Sequence, residues 1–188
     1  ATQASFFGSR AVCTDSKGNT YVCEREGHGV RKIDANGIMS TFAGTGEKGY
    51  SGDGGPAIAS TWNGPKAIRC DHQDNIIVVD TENHAIRKVD LSAGTVETIA
   101  GTGEQGHTRD GRRPGRTMEL SSPFDLLHHE GIIYIAMAGI HQLWSLELES
   151  GMIGPFAGNG KESLTDGPLG TAELAQPCGI TSDGVKLF

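Results

Sequence analysis

Short β-branched runs, separated by Asn, Asp and Gly, succeed one another along this chain. No stretch carries a helical spacing of apolar residues that competes with them. The middle of the chain is clearest. Pro65 to Asp71 reads as a first strand, 72–75 as a turn, and Ile76-Ile77-Val78-Val79-Asp80 as a run too short for a helix. Thr81-Glu82-Asn83 turns again, His84 to Asp90 alternates into a third strand, and Val96 to Ala100 makes a fourth. Asn and Asp suit these turns because they tolerate left-handed backbone and bond their own main chain. Four short antiparallel strands followed by a long glycine-rich connector predict one propeller blade.

The pattern recurs. Thr41-Phe42-Ala43-Gly44-Thr45-Gly46-Glu47 returns as Thr98-Ile99-Ala100-Gly101-Thr102-Gly103-Glu104, and more loosely as 154–160, with alanines 43, 100 and 157 spaced 57 residues apart both times. A period of this length marks a repeat architecture. The expected fold is all-β: three full blades at about 6–60, 61–119 and 120–174, and a partial blade at 175–188. The 28 glycines among 188 residues fit a chain with many tight turns.

Asp80-Thr81-Glu82-Asn83-His84-Ala85-Ile86-Arg87-Lys88-Val89-Asp90 resembles the signature of NHL repeats, with alanine in place of the leucine. The first and third copies, Gly27-His28-Gly29 and Ile140-His141-Gln142, keep only the histidine. The connector from Gly44 to Ala57 is similar to the long linkers of bacterial members. The stretch from Met137 to Trp144 is similar to propellers attached to thioredoxin-like domains. The resemblance implies a propeller, usually six-bladed, of which this chain supplies half, and it implies little about chemistry. Half a ring would be completed by a second copy, so a homodimer is expected, with 175–188 exchanged or appended.

Net charge is −7, and no apolar run is long enough to span a bilayer. The first residues show neither a basic region nor a hydrophobic segment, so no signal peptide or membrane partner is expected and the compartment stays open. Cys13, Cys23, Cys70 and Cys178 have no zinc-ligand spacing. Cys70 and Cys178 fall in strand-like segments, while Cys13 and Cys23 flank one hairpin, where either a disulfide or two buried thiols fit.

Several constellations invite chemistry and are read as architecture. The glycines at 44, 46 and 49 match a dinucleotide fingerprint, but no helix follows to face a pyrophosphate. His28, His84 and His141 recur once per repeat as hydrogen-bonding residues rather than metal ligands, and Asp53, Asp110 and Asp166 recur in the connectors as turn residues. His128-His129-Glu130 reads as a solvated hairpin. The 107–116 connector departs from the repeat, gathering Arg109, Arg112, Arg113 and Arg116 on an acidic body. These arginines are the candidate ligand-binding residues, for guanidinium groups suit phosphate or carboxylate. Nucleic acid is disfavoured because a broad basic face and stacking aromatics are missing.

The leading expectation is therefore a non-catalytic recognition scaffold that binds a protein or small polar ligand through loops at one propeller mouth, with no cofactor and no metal. The alternatives are a metal-dependent lyase or lactonase-like propeller and polyanion binding by the basic loop. The innermost strands supply Lys66, Arg69 and Asp125 but no histidine, which weighs against the enzyme.

Overall fold

The computed structural model describes residues 3–188. Strands β1 (Ser9–Thr14), β2 (Thr20–Glu24), β3 (Gly29–Ile33) and β4 (Met39–Ala43) form the first antiparallel sheet in that order. The second sheet repeats it with β5 (Ala67–Cys70), β6 (Ile76–Asp80), β7 (Ala85–Asp90) and β8 (Thr95–Ala100). The third runs β10 (Pro123–His129), β11 (Ile132–Met137), β12 (Gln142–Glu147) and β13 (Met152–Ala157). The two-residue β9 (Arg113–Pro114) adds a fifth strand beside β13. Beyond them, Thr181 and Phe188 exchange backbone hydrogen bonds at 2.9 Å, closing a hairpin.

The hairpin turns follow from side-chain chemistry. Asp15 accepts hydrogen bonds from the amides of Lys17 (3.0 Å) and Asn19 (2.8 Å), from the Asn19 side chain and from the Tyr21 hydroxyl. Asp71 repeats this with the amides of Gln73 and Asn75, both at 2.8 Å. Each aspartate thus satisfies turn amides that the ladder leaves free.

The core lies in the seams between sheets. One buried cluster joins Tyr21, Cys23, Val30 and Trp62 of the first blade and its connector to Ile68, Ile76, Val78 and Val89 of the second. Another joins Ile77, Val79 and Ile86 to Met118, Leu126, Ile135 and Trp144. Trp62 and Trp144 are both fully buried. Burial of a large apolar side chain contributes about 1.5–3 kcal/mol, so these seams hold the blades face to face.

The first two connectors are structured, and each lies along the outermost strand of the following blade. Gly54 and Gly55 exchange backbone bonds with Val96 at 2.8 and 3.1 Å, while Arg113 and Pro114 pair with Ile153 and Met152. Within the 107–116 segment, Arg113 and Pro114 thus edge the third blade as Gly54 and Gly55 edge the second. Two narrower expectations also change. His84 and His141 precede the third strand as left-handed residues ending a 3-10 turn, and Cys178 is exposed outside any strand.

Candidate site at the channel mouth

The first strands β1, β5 and β10 line the propeller channel, and they begin at the same mouth. Arg10, Lys66 and Phe124 stand where successive first strands start, and with Arg25 and Cys178 they line a depression of about 340 Å³. Local backbone explains how they get there. The β1–β2 register shifts between Ser9 and Ala11, and the β10–β11 register shifts between Pro123 and Asp125. Arg10 and Phe124 are thus the unpaired residues of two β-bulges, a device that turns a side chain out of the ladder. Lys66 sits just before β5, its amide bonded to Val79 at 3.1 Å.

Three cations meet two carboxylates here. Lys66 Nζ is 3.2 Å from Glu82 and 3.8 Å from the Phe124 ring centroid. Arg25 lies 3.0 Å from Glu26 and 3.7 Å from Glu82. Burial opposes ionisation of Glu82, but Lys66 and Arg25 hold its carboxyl below the ordinary value. Glu26 is likewise lowered, against burial, by Arg25 and Arg10. Arg10 is exposed at the rim of a mouth that keeps a net positive charge on a chain of −7.

Deeper in the channel, Arg69 reaches across the seam to Asp125 at 2.9 Å, and Asp125 accepts the Ile180 amide at 3.1 Å. Cys13 faces Cys70 at 2.8 Å between sulfurs, not Cys23, which is buried in the first seam. His128 is half-buried and stacks on the exposed His72 with ring centroids 5.6 Å apart, while Glu130 at the hairpin tip stands in solvent.

The structure distributes the sequence candidates elsewhere. Arg112 bonds Glu147 at 2.9 Å, the Ser145 hydroxyl and the Met152 carbonyl, while Arg116 pairs with Glu97. Arg109 lies against Gly160, and Arg113 is exposed on β9. These four do not converge on one point. His28, His84 and His141 each clamp a seam: their Nδ1 atoms accept the amides of Gly64 (3.2 Å), Ser122 (3.0 Å) and Gln176 (3.2 Å). Asp53 holds the Thr98 amide and Arg87, both at 2.9 Å, whereas Asp110 and Asp166 are exposed. Among the described residues, no three His, Cys, Asp or Glu side chains come together to hold a metal ion.

No family model matches the chain. It is 38% identical over 143 residues to the human NHL repeat-containing protein 2, a match that covers 65% of this chain and 19% of that protein. The chain therefore spans about a fifth of this relative. An auxiliary nutrient binding protein from Bacteroides ovatus superposes with a TM-score of 0.72 at 15% identity, covering 96% of this chain and 44% of that one. A streptogramin B lyase superposes at 0.60 and 11% identity, covering 86% and 44%. At such identities the two structures establish the fold alone, and that fold carries both binding and catalysis.

Proposed function

We propose that this chain, which belongs to the NHL-repeat β-propeller family, acts as a non-catalytic recognition scaffold whose channel mouth takes a small anionic ligand. The observation that carries the reading is the convergence of Arg10, Arg25 and Lys66 on one depression, with Arg10 placed there by a bulge. Guanidinium and ammonium groups around a concave site suit a carboxylate or phosphate, and the half-buried Phe124 that also lines it suits an apolar portion beside it. The nutrient-binding description of the Bacteroides ovatus neighbour is in keeping with this.

A lyase or lactonase reading has less support at this mouth. Proton transfer near neutral pH works best from a group whose pKa lies near the operating pH. Glu26 and Glu82 are instead held low by their cationic neighbours. The arginine loop also has less support as a polyanion site, because its arginines are spread over different neighbours, Arg112 on Glu147, Arg116 on Glu97 and Arg109 against Gly160.

Calorimetric titration with citrate and with inorganic phosphate tests the proposal. Binding is expected at low ionic strength, weakened by added salt. Lys66→Glu should weaken it about tenfold or more, roughly 1.4 kcal/mol. Arg113→Glu should leave it unchanged. Equal loss in both variants, or no binding at low salt, overturns the reading.

A further inference from the structure

Cys13 and Cys70 come from the first strands of two different blades and lie 57 positions apart in sequence, yet their sulfurs are 2.8 Å apart. The pairing is not a simple repeat of position. Cys13 stands opposite Tyr21 as Arg69 stands opposite Ile77, so Cys13 and Arg69 are counterparts, and Cys70 is one step further along. Arg69 in turn crosses its own seam to Asp125. The same first-strand position thus reaches forward to the next blade twice, as an ion pair in one seam and as a thiol pair in the other.

We infer that Cys13 and Cys70 are a redox modification site, forming a reversible disulfide that staples the first two blades across the channel wall. A disulfide of about 2.05 Å needs the sulfurs to close by less than about 1 Å. Both cysteines are partly buried, so a small reagent can reach them, and both pack on the edge of the apolar seam cluster. The hydrogen bond shared with Cys70, and then burial, hold the Cys13 thiol protonated. Arg69 beside Cys13 acts in the opposite sense and favours the thiolate.

The oxidant is a low-molecular-weight disulfide. The thiolate of one cysteine attacks a sulfur of that disulfide, forming a mixed disulfide and releasing one thiol. The second cysteine, having given up its proton to solvent, attacks the protein sulfur of the mixed disulfide. The second small thiolate leaves and takes up a proton. One small disulfide is reduced to two thiols and the dithiol is oxidised to one disulfide. The new bond joins positions 57 apart in sequence and removes freedom chiefly from the unfolded chain.

Oxidised glutathione is the probe. The reduced protein, which has free thiols at Cys13, Cys23, Cys70 and Cys178, is incubated with it and digested without reductant. The expected product is a peptide linking Cys13 to Cys70, removed by dithiothreitol, with a melting temperature raised by on the order of 5 °C before digestion. Cys23→Ser should keep the linkage, and Cys70→Ser should leave glutathione attached to Cys13. Four persistent thiols, a Cys13–Cys23 linkage, or wild-type protein that stops at glutathione adducts would each overturn the inference.

Discussion

His84 Nδ1 accepts the Ser122 backbone amide at 3.0 Å, a bond that ties the end of a turn in the second blade to the start of the third. Both residues have left-handed backbone, with φ of 48° and 45°. The same clamp recurs from His28 to Gly64 and from His141 to Gln176. An acceptor must be unprotonated, so the clamp needs a neutral ring.

His84→Ala should therefore cost about 1–3 kcal/mol, because the Ser122 amide loses its partner in a half-buried seam. Urea denaturation measures the loss. Citrate affinity at the mouth should stay as in the wild type, which separates the clamp from the site.

Acid should weaken this clamp. Burial lowers the His84 pKa, with Glu82 and Glu104 working against it and Lys66 with it. A histidine depressed on folding contributes stability that is full above its unfolded value of about 6.5 and is lost as pH falls below it. Wild-type stability should fall as pH drops below about 6.5, and the gap between wild type and His84→Ala should narrow in the same direction. A gap that stays constant would show that the ring does not titrate in the seam.

Arg87 anchors the first connector and is fully buried. It bonds the Thr61 and Ser51 carbonyls at 2.8 Å and stacks with its guanidinium 4.5 Å from the Trp62 ring centroid. Its guanidinium also lies 3.7 Å from Asp80, whose carboxyl burial pushes up to about 7. Arg87→Ala leaves Asp80 without its cation and should cost about 3–5 kcal/mol. Asp53→Asn should cost about 1 kcal/mol, since the Thr98 amide and the two carbonyls still have partners. Denaturation midpoints of the two variants check both.

The blades were legible because their signals are local. Asp15 with Asn19 and Asp71 with Asn75 fix the first hairpin turns within five residues, and β-branched runs fix the strands between them. That a mouth would carry the site was expected, but the side chains that gather there were not legible. Nothing in Gly8-Ser9-Arg10-Ala11 announces that a bulge turns Arg10 out, because bulges depend on how two strands settle together. The arginine loop misled for the opposite reason. Its charge density is visible in the sequence, whereas Glu147 and Glu97, which pair with Arg112 and Arg116, lie on other strands. Cys13 and Cys70 escaped notice because they are one step out of register between copies, so aligning the repeats does not bring them together.

Chemical-shift mapping of the isotope-labelled protein during citrate titration tests the proposed site most directly. The largest amide shifts should fall on residues 9–11, 25–26, 66–67 and 124, around the three cations and Phe124, and should saturate. Shifts concentrated on 109–116, or spread evenly over the surface without saturation, would contradict an anion site at the channel mouth.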